Sequence, residues 1–272
     1  MDFSVLMSIY FKEKPAFLET CLESLVAQTV KASEVIIVED GPIGDELKTI
    51  IERFRDTLNI VSVPLEKNVG LGEALNKGLA QCRFELVARM DTDDLCRRDR
   101  FEKQLAFFER HPETDVLGGA IAEFNDDPAQ PHAIRELPTG VKSVREFAKA
   151  RCPVNHMTVM FRKSAIEAAG GYKPFLGMED YYLWARLLVA GRVMDNMADI
   201  LVDARVGNGM LTRRRGWHYF KQDVILQNKF RKMGFISMPE CVINAAKRAP
   251  LRLAPEWLLG TVYQRFLRKK AG

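Results

Sequence analysis

Apolar residues fall in short blocks along the first part of the chain, and their spacing switches back and forth between two periods. Phe3 to Ile9 is an almost unbroken apolar run, which predicts a buried strand. Pro15 suits a first helical turn, where its missing N–H costs nothing, and Leu18, Cys21, Leu22, Leu25 and Val26 then recur at helical spacing. Glu34 to Glu39 (E-V-I-I-V-E) is a β-branched run stopped by Asp40-Gly41-Pro42, which predicts a strand and a turn. Asp45 to Arg55 reads as a helix and Asn59 to Val63 as a third strand, ended by Pro64. Gly70 to Cys82 has helical spacing through Leu71, Ala74, Leu75, Gly78 and Leu79. Glu85 to Met90 is a fourth strand with Asp91-Thr92-Asp93-Asp94 directly behind it, and Arg100 to Arg110 is again helical.

This alternation predicts an α/β fold with a parallel sheet covered on both faces. Such sheets bind ligands beyond the carboxyl ends of their strands, so Asp40 and the aspartates at 91–94 are expected on one edge. After residue 110 the pattern loosens. Asp115 to Phe124 reads as a strand, Asn125 to Pro138 as a loop and Val159 to Phe161 as a short strand. Ser164 to Ala169 reads as a helix ended by Gly170-Gly171, and Met178 to Val189 as a helix with Glu179-Asp180 in its first turn. From Pro239 the chain reads as two short helices split by Pro250 and Pro255. The second, opened by Trp257, carries an apolar face of Leu259, Val262, Tyr263, Phe266 and Leu267, with Arg265 and Arg268 on another face and Lys269-Lys270 behind.

With 272 residues, 47% hydrophobic and 28% charged, the chain can build a core and is not globally disordered. No apolar run approaches the roughly 18–20 residues of a spanning helix. The N-terminus lacks a basic region, so no signal peptide is expected. Five scattered cysteines without a C-x-x-C pair suggest neither a disulfide framework nor a zinc site, and point to a reduced, cytoplasmic setting. The net charge of +4 hides an asymmetry: residues 200–272 hold 15 Lys/Arg against 4 Asp/Glu. A basic tail on an acidic body implies an anionic surface as partner, although a merely solvated basic face has the same composition.

Three carboxylates within four residues repel one another unless a cation or a ring of donors holds them. Carboxylates two apart in an irregular segment suit Mg²⁺ or Mn²⁺, which leave positions open for phosphate oxygens. An EF-hand is excluded because Leu95 and Cys96 occupy its fifth and sixth positions. A phosphatase would place its nucleophilic aspartate after the first strand rather than the fourth. Asp94 reads best as a helix N-cap, and Glu179-Asp180, taken bare, as compensation of a helix dipole.

The ordered set of segments resembles family 2 glycosyltransferases of the GT-A fold. It comprises Tyr10, S-L-V-A-Q-T (24–29), V-I-I-V-E-D-G-P (35–42), N-V-G-L-G-E-A-L-N-K-G-L (68–79), A-R-M-D-T-D-D (88–94) and M-E-D-Y-Y-L-W-A-R-L (178–187). The likeness is strongest to bacterial enzymes of O-antigen, capsule and exopolysaccharide synthesis, the amylovoran type included. The resemblance implies a GT-A catalytic domain over 1–205, with nucleotide-sugar binding in 1–110 and the acceptor side in 111–205. Residues 206–272 remain as a basic helical region. It further implies inverting, metal-dependent transfer of a sugar from a UDP-linked nucleotide sugar to a lipid-linked oligosaccharide.

Residue by residue, the resemblance gives Tyr10 the base, Ser8 the nucleotide and Asp40 the base or ribose. It gives Asp91 the ribose or diphosphate, Asp93 the metal with Asp91 beside it, Asp180 the role of general base, and Arg100 a place in the donor site. Glu39 stands where the family usually has Asp. An acceptor hydroxyl is a weak nucleophile until a positioned carboxylate takes its proton. His156 reads as a structural histidine near the acceptor side and Trp184 as core. For the tail, an anionic membrane surface at the inner face of the cytoplasmic membrane is the expected partner, ahead of a helix docked on the body or a dimer contact. No nucleic-acid motif accompanies the charge. Two readings compete with catalysis by transfer. One is a catalytically silent nucleotide-sugar or membrane-binding subunit. The other is a nucleotidyltransferase, disfavoured because residues 10–14 (Y-F-K-E-K) lack the glycine-rich loop.

Overall fold

The computed structural model describes residues 1–175, 177–206, 216–253 and 269–270. Strands β1 (Phe3–Ile9), β2 (Glu34–Glu39), β3 (Ile60–Pro64) and β4 (Leu86–Arg89) alternate with helices α1 (Pro15–Val26), α2 (Asp45–Leu58) and α3 (Leu71–Gln81). They run parallel in the order β3-β2-β1-β4. The chain continues through β5 (Leu95–Cys96), α4 (Arg100–Arg110), β6 (Val116–Phe124), β7 (Ala133–Arg135), α5 (Val141–Ala148), a 3-10 turn at His156–Thr158 and β8 (Met160–Arg162). It then forms α6 (Lys163–Ala168), α7 (Glu179–Val189), β9 (Met194–Arg205), α8 (Gly216–Lys232), α9 (Met238–Leu253) and β10 (Lys269–Lys270). The second half of the sheet is mixed. β8 pairs antiparallel with β4 and β6, while the long β9 runs parallel to β6.

Side chains alternate along each strand, so the two sheet faces collect different residues. On β1, Phe3, Val5, Met7 and Ile9 pack with Leu18 and Leu22 of α1, Leu47 and Ile51 of α2, and Phe101 and Leu105 of α4. Leu6 points the other way, toward Ala74 and Leu75 of α3, Trp184 and Leu187 of α7, and Leu226 and Phe230 of α8. Both faces are therefore covered, as a parallel sheet requires. Packing is continuous from the sheet into α8, with Phe235 and Ile236 of the following turn in the same core.

Two expectations are corrected. Pro250 does not divide a pair of helices: Met238–Leu253 is one helix that contains it. Pro250 lies in its last turn, where one lost N–H bond can be absorbed. The segment 125–138 is not all loop, since Ala133–Arg135 pairs with Ile121–Glu123 of β6. The predicted helix beyond Pro255 and the Arg213-Arg214-Arg215 cluster lie outside the described residues.

Candidate active site

Because β1, β2 and β4 are parallel, their carboxyl ends share one edge. Strand order reverses beside β1, with β2 on one side and β4 on the other, which is where such sheets bind ligands. Tyr10, Asp40 and Asp91 follow these three strands, as the sequence predicted. Leu6 pairs with Arg89 in register, so Ser8 and Asp91 continue at the same level two residues further on. Ser8 is half-buried. Tyr10 is 37% exposed, and its ring meets that of Phe11 edge-on at 5.7 Å.

The structure gives Asp40 a task other than holding a base. It is buried, and its carboxylate accepts N–H bonds from Val69 at 2.7 Å and Gly70 at 3.1 Å. Asn68 Nδ2 donates to its carbonyl at 3.2 Å. Asp40 thereby fixes the turn that launches α3. Gly41 sits at φ +85°, and a Cβ there would lie 2.6 Å from the Asn68 nitrogen, so only glycine fits the crossing of these two turns.

Asp91 is gripped by Arg89, which points both guanidinium Nη atoms at the two carboxylate oxygens, one of them at 2.6 Å. This fork leaves Asp91 about one-third exposed while Arg89 is buried. Asp93 has a different environment. Burial, and then the charges of Asp91 and Glu13, push its carboxyl up to about 7. Asp94 is also raised by burial and by both neighbouring aspartates. It does not cap a helix. Its Oδ1 accepts the Arg205 N–H of β9 at 2.8 Å, because β5 separates it from α4 by five residues. Thr92 donates its hydroxyl to Glu13.

Arg100 lies beneath the aspartate segment. It is fully buried, donating to the Arg89 carbonyl at 2.8 Å and to Gln104 Oε1 at 3.0 Å. Burial and the nearby Arg89 charge lower its pKa. An arginine so committed supports the segment carrying the aspartates from beneath.

The second acidic pair opens α7. Asp180 is half-buried, and the Cys152 thiol faces its Oδ2 at 3.7 Å. Glu179 is raised by burial and by Asp180. No side chain caps α7, so these two carboxylates lie over the free N–H groups of its first turn. Gly72 of α3 lets this turn come close, since a Cβ there would sit 3.4 Å from Glu179 Cβ and 3.3 Å from Tyr172 Cβ. Asn76 of α3 clamps the Tyr172 backbone with two bonds of 2.8 Å.

Tyr172 joins the two halves of the site. Its hydroxyl pairs with His156 Nε2 at 2.8 Å. Burial raises its pKa, opposed by Arg89 and reinforced by Asp180, Glu179 and Asp91. Burial and Arg89 hold His156 well below its usual range, hence neutral. That agrees with the structural role expected for it. Trp184 is fully buried beside both rings. Arg89, Asn76 and Tyr172 were not picked out from sequence as site residues. Arg89 had one signal, a charged residue ending a strand whose other positions are all apolar.

Among the described residues, no group of three or more His, Cys, Asp or Glu side chains could hold a metal ion by itself. The donor set still fits a hard divalent cation that shares its coordination with a diphosphate. Asp93 is a half-buried carboxylate beside acidic neighbours, and oxygen donors with remaining positions open to phosphate are what Mg²⁺ and Mn²⁺ take.

A family model for glycosyl transferase family 2 matches residues 4–168. The chain is 46% identical to the amylovoran biosynthesis glycosyltransferase AmsE of Erwinia amylovora, covering 86% of this chain and 88% of that protein. It is 39% identical to the Escherichia coli UDP-Gal:alpha-D-GlcNAc-diphosphoundecaprenol beta-1,3-galactosyltransferase, covering 98% and 97%. Among solved structures, S. aureus TarS 1-349 in complex with UDP-GlcNAc superposes with TM-score 0.70 at 20% identity, covering 92% of this chain and 73% of that one. The Pyrobaculum calidifontis mannosyltransferase PcManGT in complex with GDP-Man and Mn²⁺ gives TM-score 0.65 at 18% identity, covering 95% and 72%. The architecture is that of the GT-A glycosyltransferases, and the chain belongs to glycosyl transferase family 2.

Proposed function

We propose that this enzyme transfers a sugar from a UDP-sugar, with inversion, to a lipid-linked oligosaccharide in bacterial surface polysaccharide synthesis at the inner face of the cytoplasmic membrane. The observation that carries the reading is Tyr172. Its backbone is held by Asn76 of α3, the helix whose first turn meets Glu179 and whose entry turn is fixed by Asp40 at the strand edge that carries Asp91, which supports reading the metal-type carboxylates and the candidate base as one site. The E. coli relative, whose name specifies UDP-Gal and a diphosphoundecaprenol acceptor, supports the donor and the acceptor class.

Asp91 and Asp93 would hold Mn²⁺ or Mg²⁺, which supplies positive charge against the diphosphate leaving group. Arg89 fixes the Asp91 oxygens so that they need not reorganise when the donor arrives. Asp180 takes the proton of the acceptor hydroxyl as that oxygen attacks the anomeric carbon and the nucleoside diphosphate leaves. Base and metal site come from α7 and from the end of β4, which allows attack from the face opposite the leaving group. Tyr10 and Ser8 line the approach to the base and ribose.

Calorimetric titration of UDP, GDP, dTDP and CMP with Mn²⁺ tests the donor site. Metal-dependent binding of UDP by the wild type, weakened at least about 100-fold in Asp93→Asn, is expected. Asp180→Asn should bind UDP normally yet lose turnover by about 100-fold or more. Failure of every nucleotide to bind the folded protein overturns the assignment and favours the silent membrane-binding reading.

A further inference from the structure

Helices α8 and α9 pair antiparallel. Gln227 meets Asn244 at 2.9 Å, while Asp223 meets Arg248 at 3.2 Å and Arg252 at 2.7 Å. Leu226 and Phe230 face the core. The outer faces carry something unusual for helices in water. Trp217 is 59% exposed, Met238 60% and Val242 57%, with Val224, Ile225 and Ile243 also exposed. Trp217, Val224 and Ile225 recur at helical spacing on α8, as Met238, Val242 and Ile243 do on α9, so each set forms a stripe.

The fully exposed charges on these faces are lysines. Lys221, Lys232 and Lys247 are exposed among the apolar positions, and the Lys221 ammonium lies 5.7 Å from the Trp217 ring centre. Residues 216–253 contain two carboxylates, and both are engaged by other side chains. Asp223 is buried between Arg248 and Arg252. Glu240 is turned to Ser237 and toward Lys149.

We propose that the outward face of the α8–α9 hairpin docks on an anionic lipid bilayer. Apolar stripes flanked by lysine, with Glu240 as the one part-exposed carboxylate of the two helices' described residues, match the boundary between acyl chains and anionic headgroups. Lysine stems lie along apolar surface while their ammonium groups reach phosphate, and tryptophan favours the same depth. A second copy of this chain is a poorer occupant. Self-pairing about a two-fold axis would bring lysines together with only Glu240 to meet them, and it is already engaged by Ser237 and Lys149. The hairpin also lies beside the acceptor side of the site, since the Tyr219 hydroxyl donates to the Gly177 carbonyl at 3.2 Å, two residues before α7. That orientation rests on the role proposed for Asp180, whereas the docking itself does not.

Co-sedimentation of the full chain with lipid vesicles, without donor, metal or acceptor, tests docking separately from catalysis. Binding to vesicles of phosphatidylcholine with phosphatidylglycerol is expected, with little binding to phosphatidylcholine alone and weakening as salt rises. Lys221→Gln combined with Lys247→Gln should lower vesicle affinity about tenfold or more. Val242→Ser combined with Ile243→Ser should lower it similarly, and thermal melting of both variants should match the wild type because the altered side chains are exposed. Absence of binding by the wild type overturns the proposal. So does equal binding by the variants, which places the contact elsewhere in the chain. A wild-type dimer in light scattering that the apolar variant dissolves assigns the face to a second copy instead.

Discussion

The most consequential side chain in the site is one that would touch no substrate. Arg89 is buried, yet it carries a full charge and spends it on both oxygens of Asp91. Desolvation opposes that charge, and Asp91 restores it, so its pKa ends above the usual value. A buried ion pair of this kind contributes little net stability, but removing one partner is costly. Because Asp91 keeps about a third of its surface in water, Arg89→Met should lower the unfolding free energy by about 1–3 kcal/mol. Arg89→Lys, which keeps the charge but loses the fork, should fall between. Urea denaturation of the three proteins measures this, and equal midpoints would show that the pair is energetically neutral.

At this scale the sequence discloses what sits at chain turns and conceals what lies beneath them. The places of Asp91, Asp93 and Asp180 were legible, the first two directly behind a strand and the third in the first turn of a helix, although only the family resemblance offered Asp180 a use beyond the helix dipole. The burial of Arg100 and the inward turn of Asp40 were not. Both depend on partners supplied by folding, such as the Val69 and Gly70 amides some thirty residues away from Asp40.

Among the elements, α3 does most to assemble the site. Its entry turn is held by Asp40, its first turn meets Glu179 through Gly72, and Asn76 holds Tyr172. Its seat on the sheet is Gly78, where a Cβ would come within 2.5 Å of Val38 Cγ2 and closer still to Leu6 Cδ1. Gly78→Ala gains helix propensity but overpacks this contact. The net result should be a loss of about 1–3 kcal/mol, read as a lower melting temperature. If the variant melts at or above the wild type, the sheet yields there and α3 is not fixed by this contact. Long elements such as β1, β2 and α4 were legible to the residue because their periodic patterns run over whole elements. β5 and β7 were not, since two- and three-residue strands exist only through pairing with β9 and β6. α5 likewise buries just Val144 and Ala148, too few positions to reveal a period.

For the molecule as a whole, the question is whether the basic C-terminal region is an appendage or part of the fold. Charge composition divides the chain near residue 206, with acidic excess before it and basic excess after. Packing does not follow that division. Leu226, Phe230, Phe235 and Ile236 are 0–5% exposed within the same core as Leu6 and Trp184. At about 1.5–3 kcal/mol for each buried side chain, these four contribute about 6–12 kcal/mol. That is comparable with the whole net stability of a domain, about 5–15 kcal/mol. A chain ending at residue 206 should therefore fail to give a soluble, cooperatively folded monomer, while the full chain should melt in a single calorimetric transition. A truncated protein with its own sharp transition would make the hairpin a separable module. Its loss would then remove docking without touching the nucleotide site. If truncation unfolds the protein, the surface assigned to the bilayer is built on the core that positions α7, and docking and acceptor binding share one rigid body.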